Sequence, residues 1–381
     1  MKIAVVVGTR PEIIKMAPVV RACIRRGTPH LLLHTGQHYS FEMDEVFFQE
    51  LDLPEPHRNL EVGSGSAAYQ VASIVSGMES ILVDERPDVV LVEGDTNSVL
   101  AAALAANKLG VAVGHVEAGL RSYDRRMPEE INRILTDHLS DHLFAPTARA
   151  RQILLGEGVG EDRIHVTGNT VVDELLLQRG RAARPDLLEQ FEVEPGRYAV
   201  ATVHRMENVE FPERLRGIFQ GLADTARALD IKVLAALHPR TTARIAELRL
   251  GLDGSIRVLP PLGYLDFLGL HASAALTLTD SGGLQEEACC LRVPCVTLRD
   301  NTERPESVEV GANLLAGAEP ERIVESARAM ARRSRDWPNP FGDGQSGQRI
   351  VDLLLGGSRA HAGSAAAGAP KPAGEVTSGT P

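Results

Sequence analysis

Short apolar runs alternate with helix-type segments along most of this chain. In the first half the apolar runs cover residues 3–7, 31–34, 89–92, 111–116 and 142–144. In the second half they cover residues 198–202, 232–237, 256–259, 275–278 and 295–298. Buried parallel strands that are joined by crossover helices produce this pattern. The sequence therefore predicts an α/β fold with two such units.

The domain organisation follows from length and local composition. A chain of 381 residues is long enough for two domains of ordinary size. We expect domains of residues 1–168 and 169–356, because a helical piece passes into a charged, proline-containing stretch after Gly168, and the final helix is expected to pack back on the first domain. Residues 357–381 are rich in Ala, Gly, Ser and Pro, which predicts a disordered tail. The ligand site is expected in the cleft between the two units.

Net charge limits the kinds of partner that we expect, and cysteine content indicates the cellular compartment. A formal net charge of -11 argues against nucleic acid or an anionic membrane surface as the main partner. An anionic ligand would therefore need a local cluster of basic residues. The chain starts without a basic segment followed by an apolar one, and no apolar run approaches the length of a membrane span. Its four cysteines lack zinc-ligand spacing, so we expect a reduced, cytoplasmic protein.

A glycine turn in the second half is a candidate phosphate site. Residues 279–287 follow an apolar run and lead into a helix-prone segment, which predicts a strand, a tight turn and a helix N-terminus. Gly282 and Gly283 allow backbone N–H groups to approach a phosphate. Glu287 lies one helical turn further, where a carboxylate commonly holds ribose hydroxyls. An ordinary helix start with Ser281 as N-cap explains this stretch equally well.

Basic residues follow the first predicted strand. Arg10 and Lys15 lie at or near a predicted helix N-terminus, where cations are electrostatically unfavourable unless an anion binds there. This placement favours a binding role over solvated surface charges. The stretch lacks the GxGxxG pattern, which argues against a tightly held nicotinamide cofactor.

Carboxylates follow successive predicted strands of the first half. Asp95 comes after one strand, Glu117 lies beside a glycine turn after the next, and Glu129 and Glu130 begin a helix. Each alone fits a helix cap or a favourable interaction with the helix dipole. Together, on one rim of a sheet, they predict acid and base chemistry.

The second half adds a histidine and further arginines at strand ends. His204 and Arg205 stand in a polar run directly after a predicted strand, which favours proton or ligand chemistry over a buried structural histidine. Arg304 follows a later strand. With Arg10 and Lys15, these arginines provide a local positive field that suits a diphosphate.

Seven motifs, taken in order, resemble those of the UDP-N-acetylglucosamine 2-epimerase family. They are GTRPE (8–12), EGDT (93–96), HVEAG (115–119), PEE (128–130) with NR (132–133), HR (204–205) with EN (207–208), DSGG (280–283) with EE (286–287), and TERPE (302–306). The match runs from residue 3 to about residue 355. The resemblance implies a glycosyltransferase-B-like fold of two Rossmann-like domains around a cleft, a UDP-sugar substrate and a homodimer.

The same resemblance implies roles for individual residues. Its catalytic positions are Asp95, Glu117, Glu130 and His204. Its substrate-binding positions are Arg10, Lys15, Arg133, Arg205, Glu207, Asn208, Ser281, Gly282, Gly283, Glu287 and Arg304. Its candidate allosteric positions are Gln37, His38 and His238, although residues 50–65 differ from the basic loop of family members that their own substrate activates.

The implied reaction is inversion of C2 in a UDP-2-acetamido sugar. Departure of UDP from C1 makes the C2 proton removable by a carboxylate, and a second acid on the opposite face returns a proton. This chemistry needs neither a redox cofactor nor a metal. A hydrolysing epimerase, a glycosyltransferase on the same fold and a non-catalytic nucleotide-sugar binding protein are the alternatives.

Overall fold

The computed structural model describes residues 1–37, 41–183 and 185–365, with the side chains of residues 41–44 and 357–365 excluded. Its strands form two parallel sheets. The first sheet has the order β3-β2-β1-β4-β5-β6-β7. Its strands are β1 (Ile3–Val7), β2 (His30–His34), β3 (Arg58–Asn59), β4 (Val89–Glu93), β5 (Ala112–Val116), β6 (His142–Ala145) and β7 (Ile164–Val166).

The second sheet has the order β10-β9-β8-β11-β12-β13. Its strands are β8 (Tyr198–Thr202), β9 (Lys232–Ala235), β10 (Ile256–Val258), β11 (Leu276–Thr279), β12 (Cys295–Thr297) and β13 (Asn313–Leu315). The register is parallel throughout, with Val5 opposite Leu32 and Leu91 in the first sheet.

Helices connect the strands and cover the sheets. In the first part of the chain they are α1 (Arg10–Arg26), α2 (Phe41–Glu50), α3 (Ala67–Glu85), α4 (Asn97–Lys108), α5 (Pro128–Leu139), α6 (Ala148–Gly156), α7 (Thr170–Gln178) and α8 (Pro185–Gln190). In the second part they are α9 (Met206–Val209), α10 (Pro212–Leu229), α11 (Pro239–Glu247), α12 (Tyr264–Ala272), α13 (Gly282–Leu291), α14 (Pro305–Glu309), α15 (Pro320–Ala331) and α16 (Ser346–Ala365).

Local sequence explains where the helices near the cleft begin and end. Helix α1 has a proline in its first turn and ends at Gly27, whose φ of 62° favours glycine. Thr96 caps α4 by accepting a hydrogen bond from the backbone N–H of Val99. Asp95 is therefore not the N-cap of this helix, and its carboxylate is available for another role.

The first sheet is covered on both faces. Alternate residues of β1 point to opposite sides, so that Val5 packs in the core formed with α1 whereas Val6 packs against α3 and α4. Helices α7 and α16 lie on the α1 side, where Val171 and Val351 belong to the same core. The chain therefore returns at its end to the first sheet. The domain limits 1–168 and 169–356 stay a prediction.

Three strands were not predicted from the sequence, and each lies at the edge of a sheet. Strands β3, β7 and β13 have only two or three residues and include the polar residues Arg58 and Asn59, His165 and Asn313, so they do not stand out as apolar runs. Helix α16 extends to Ala365, so it continues past Gly357, where the tail was predicted to begin. Residues 366–381 of that tail lie outside the described residues.

Within residues 1–37, 41–183 and 185–365, each helix is too short or too polar to cross a bilayer.

Candidate active site

The candidate site lies where the carboxyl ends of the two sheets approach each other. In the first sheet Glu93 ends β4, and Glu117 follows β5. In the second sheet His204 follows β8 and Asp280 follows β11. Strand ends of this kind are where α/β folds bind ligands. Ion pairs between side chains of the two halves show that these ends face one cleft.

Glu117 lies at the centre of a buried ionic cluster that joins the two halves. Lys15 of α1 forms an ion pair with Glu117, and its Nζ atom lies 3.0 Å from Oε1 of Glu93. Arg304 of the second half forms an ion pair with the other carboxylate oxygen of Glu117. The Nε atom of Arg304 lies 3.2 Å from Oε1 of Glu286. We call Lys15, Glu93, Glu117, Glu286 and Arg304 the cleft cluster.

The protonation of the cleft cluster leaves it positively charged. Burial raises the pKa of Glu93 well above its usual value and that of Glu286 to about 7. Burial also acts to raise the pKa of Glu117, but the Lys15 and Arg304 cations outweigh it and hold that pKa below the usual range. Near neutral pH, two cations therefore face the full negative charge of Glu117 and a partial negative charge on Glu286. A diphosphate suits this excess of positive charge.

The backbone at Glu117 is in a conformation that favours glycine. Its φ is 70°, which costs a residue with a side chain of the order of 1 kcal/mol or more. The conformation is held because the N–H of Glu117 donates to the carbonyl of Phe144 over 3.1 Å. It turns the carboxylate into the cleft cluster.

Glu130 accepts four hydrogen bonds. The donors are the backbone N–H of Ser122 at 2.9 Å, the Ser122 hydroxyl at 3.0 Å and the backbone N–H of Tyr123 at 2.8 Å. Arg133 adds a guanidinium N–H at 3.1 Å. Tyr123 has a φ of 59°, so Glu130 holds a strained turn in place. Its geometry is that of a residue that positions a loop.

Asp95 faces the cleft and keeps partial access to solvent. Its Oδ2 atom lies 2.5 Å from a guanidinium nitrogen of Arg133, and 28% of its side chain is exposed. The same nitrogen of Arg133 lies 3.8 Å from Glu303. Among the predicted catalytic carboxylates, Asp95 is thus more accessible than Glu117 or Glu130, which are both buried.

His204 is oriented by Asp280. Its Nδ1 atom lies 2.9 Å from Oδ1 of Asp280, and its backbone N–H also donates to that carboxylate. Burial raises the pKa of Asp280, but His204 and neighbouring donors outweigh this effect and lower it to about 2. Asn208 donates to Asp280 over 3.1 Å and to the Leu298 carbonyl over 2.9 Å. Asn208 is fully buried and supports the His204–Asp280 pair in this way, and its substrate-binding role stays a prediction.

Arg205 and Glu207 lie beside this pair in further ionic contacts. Arg205 lies 3.3 Å from Glu129 of the first half. Glu207 lies 3.2 Å from Nε of Arg299, which also binds Glu303 over 2.8 Å. These contacts place charges of alternating sign beside the His204–Asp280 pair, with Arg299 and Glu303 buried.

The strand, tight turn and helix N-terminus predicted around Gly282 and Gly283 form as expected. Ser281 caps α13 by accepting a hydrogen bond from the N–H of Leu284. A methyl group added at Gly282 would lie 3.4 Å from the guanidinium carbon of Arg304, whereas none of the described atoms lies within 4 Å of one added at Gly283. The turn thus offers backbone N–H groups beside a cation of the cleft cluster. The N-cap role of Ser281 is therefore compatible with the proposed binding of a phosphate at the same turn.

The remaining predicted residues are dispersed. The guanidinium of Arg10 lies 5.0 Å from the ring centre of Phe47 in α2. Gln37 is buried, and its side-chain oxygen accepts from the backbone N–H and the hydroxyl of Ser98 at the start of α4. His238 caps α11 through its Nδ1 atom. His38 lies outside the described residues, so allosteric activation stays a prediction.

Several residues of this site had no role predicted from the sequence. They are Glu93, Asp280, Glu286, Arg299 and Glu303, all of them buried. Four of them belong to the quoted motifs, so the motif positions were a signal. Several of their partners lie in distant segments, such as Lys15 for Glu93, 78 residues away, and a linear sequence does not show those pairs.

The comparisons with known proteins agree on one family. The family model for UDP-N-acetylglucosamine 2-epimerase matches residues 22–355. The UDP-N-acetylglucosamine 2-epimerase of Methanocaldococcus jannaschii is 49% identical over 94% of this chain and 100% of its own length. That of Methanococcus maripaludis is 47% identical over 93% of this chain and 98% of its own length.

A solved structure shows the same architecture. This chain superposes on the crystal structure of the Methanocaldococcus jannaschii UDP-GlcNAc 2-epimerase in complex with UDP-GlcNAc and UDP with a TM-score of 0.89. The alignment covers 93% of this chain and 99% of that chain. The predicted α/β, glycosyltransferase-B-like fold is thereby confirmed. The chain belongs to the UDP-N-acetylglucosamine 2-epimerase family, a family of isomerases, as its motifs predicted.

Proposed function

We propose that the enzyme interconverts UDP-GlcNAc and UDP-ManNAc, or a close 2-acetamido analogue, by eliminating UDP and adding it back. The observation that carries this proposal is the cleft cluster, in which cations from both halves meet a carboxylate beside the glycine turn of α13. Leaving-group stabilisation and a base are thereby brought into one place, as the elimination requires.

The reaction balances without a co-reactant. The C1–O bond breaks with its electron pair going to UDP, while a carboxylate removes the C2 proton and the C1–C2 double bond of a 2-acetamido-glycal forms. A proton then reaches the opposite face of C2, and the UDP oxygen attacks C1. UDP therefore has to stay bound between the two steps.

Lys15 and Arg304 are the groups that we assign to the diphosphate. In the cleft cluster they bind Glu117, and a diphosphate at the α13 turn competes for the same cations. Binding of substrate then frees the Glu117 carboxylate to act as a base. Asp95, which is partly exposed, is assigned as the second acid or base group.

His204 and Glu130 take supporting roles in this proposal. Because Asp280 accepts from Nδ1 of His204, the other ring nitrogen, Nε2, is directed to the site, where the protonated ring, which the Asp280 carboxylate stabilises, donates to the leaving group. The four hydrogen bonds to Glu130 assign it to holding the turn at Ser122 and Tyr123. The ribose is assigned to Glu287, one turn into α13 from the glycines.

The direct test is incubation of the protein with UDP-GlcNAc alone, followed by NMR of the products. The proposal predicts an equilibrium mixture with UDP-ManNAc and no accumulation of free UDP. Stoichiometric UDP and free ManNAc would show a hydrolysing epimerase. No turnover without an added acceptor would favour a glycosyltransferase or a binding protein.

A homodimer is the proposed assembly. An apolar groove runs between α3, α4 and α5 and is lined by Val71, Val75, Leu104 and Ile131, and Leu135 beside it is 46% exposed. A second copy is the proposed occupant, because the family resemblance implies a homodimer. Sedimentation of the wild type as a dimer and of Ile131→Asp as a folded monomer would support this; a monomeric wild type would contradict it.

A cytoplasmic location is proposed as well. The four cysteines Cys23, Cys289, Cys290 and Cys295 are free thiols in the structure, which is compatible with a reducing compartment. Cell fractionation tests this location.

A further inference from the structure

Helix α12 places a buried histidine behind Glu287. The side chain of His271 is completely buried, and its Nε2 atom lies 2.9 Å from the Thr277 hydroxyl in β11. Its Nδ1 atom lies 3.8 Å from Oε2 of Glu287. Among the residues that the structure describes, Nδ1 has no hydrogen-bond partner. A buried polar atom without a partner is unfavourable and calls for an explanation.

The Thr277 contact is compatible with a ring proton on Nδ1 of His271. A hydroxyl can donate to Nε2 of the neutral ring, which places the ring proton on Nδ1. Nδ1–H then faces the Glu287 carboxylate, which is an acceptor. A small rotation of the Glu287 side chain closes the gap to hydrogen-bond length.

Helix α12 carries a second buried polar group, the side chain of Tyr264. The hydroxyl of Tyr264 is buried and has no hydrogen-bond partner within the described part of the chain. Burial raises the pKa of Tyr264, and the charge of Glu287 raises it further. Helix α12 therefore carries two buried polar atoms, Nδ1 of His271 and the hydroxyl oxygen of Tyr264, that lack a hydrogen-bond partner among the described residues.

We propose that His271 is a positioning residue for nucleotide binding. Its Nδ1–H donates to one oxygen of Glu287 and fixes the carboxylate so that the other oxygen meets the ribose hydroxyls. This inference rests on the ribose site proposed above. Because a glutamate side chain has several rotamers, holding one of them before binding lowers the entropic cost of the complex.

Two substitutions at position 271 separate the two ring nitrogens. In His271→Asn the amide N–H replaces Nδ1–H and keeps a donor near Glu287. In His271→Gln the longer side chain reaches toward Thr277 and removes that donor. If His271 only stabilised the fold, His271→Asn would not be expected to bind UDP more tightly than His271→Gln.

The measurement is calorimetric binding of UDP and of 2′,3′-dideoxy-UDP, which lacks both ribose hydroxyls. We expect His271→Gln to weaken UDP binding by about 5- to 30-fold with no change for the dideoxy nucleotide, and His271→Asn to retain most UDP affinity. Equal weakening for both nucleotides, or unchanged UDP affinity in His271→Gln, would overturn the proposal.

Two further variants keep the test decisive. Glu287→Ala should abolish the preference for UDP over the dideoxy nucleotide; if it does not, the ribose site itself is wrong and the role of His271 falls with it. A preference lost in Glu287→Ala but kept in His271→Gln would overturn the histidine role alone. If His271→Gln does not fold, Thr277→Val, which removes the Nε2 partner, should weaken UDP binding selectively, and weakening for both nucleotides would refute the proposal.

Discussion

The Nδ1 atom of His204 lies 2.9 Å from Oδ1 of Asp280, and the side chain of Asp280 is completely buried. Further hydrogen bonds to Asp280 come from the backbone N–H groups of His204 and Arg205 and from Asn208. The histidine therefore has one ring nitrogen fixed inside the second half. This arrangement orients its other nitrogen toward the cleft.

Asp280→Asn should slow turnover by about 10²–10⁴-fold, because the amide no longer fixes and stabilises the histidine ring. UDP affinity should fall far less than turnover, since the proposed contact of His204 with the leaving group is strongest in the transition state. Steady-state kinetics and calorimetry measure the two effects. Asp343→Asn, which changes an exposed ion pair with Arg349, is the matched control, and equal activity in both variants would refute the role of Asp280.

Arg304→Met should destabilise the fold by about 3–5 kcal/mol, because it leaves the buried Glu117 and Glu286 without their shared cation. Arg149→Met is the matched control, since Arg149 pairs with Glu309 at a site where both side chains are at least half exposed. This control should cost less than about 1 kcal/mol. Urea unfolding of both variants checks the prediction, and similar small losses would contradict it.

The buried carboxyl group of Glu12 should make the free energy of unfolding depend on pH. Burial raises its pKa from 4.5 to about 7. Between these pH values the folded protein holds a proton that the unfolded chain releases, so this contribution to stability is complete below pH 4.5 and is lost as pH rises through about 7. Glu12→Gln should remove this part of the slope and stabilise the protein at pH 8 by on the order of 2–3 kcal/mol.

The glutamine of that variant fits the existing contacts. Its oxygen can accept from the backbone N–H of Gly8, and its amide can donate to the Thr96 hydroxyl, both 2.6 Å from the present carboxylate. Urea unfolding between pH 5 and pH 8 gives the slope. Glu309→Gln at the surface should leave it unchanged; an equal slope for wild type and Glu12→Gln would show that Glu12 does not titrate as described.

The central strands were predictable because a parallel strand that is covered on both faces needs a continuous apolar run. Strands β1 and β8 have the predicted limits. The short edge strand β3 lacks such a run: its two residues, Arg58 and Asn59, are polar. Pairing with β2 defines that strand, and pairing is a tertiary property that local sequence does not show.

The site was predictable in part, through residues that follow strands. This rule located Asp95, Glu117 and His204 in the cleft. It gave no indication that Asn208 supports Asp280, because that contact depends on how α9 packs. It also gave no indication that Lys15 and Arg304 share Glu117, since the pairs form only when two distant segments meet.

Asp95→Asn and Glu117→Gln should each slow epimerisation by about 10²–10⁴-fold, the usual contribution of a positioned acid or base. If one substitution impairs re-addition more than elimination, that variant should release UDP and the unsaturated glycal, and NMR of the products detects both. Full activity in both variants would contradict their roles.

Solvent deuterium is the most direct test of elimination and re-addition. The proton removed from C2 is replaced by one derived from solvent, because the abstracting and donating groups lie on opposite faces of the sugar. Wild-type enzyme that acts on UDP-GlcNAc in D2O should therefore place deuterium at C2 of the UDP-ManNAc formed, as seen by loss of the C2 proton signal in NMR. Epimer that keeps its original hydrogen at C2 would contradict the account.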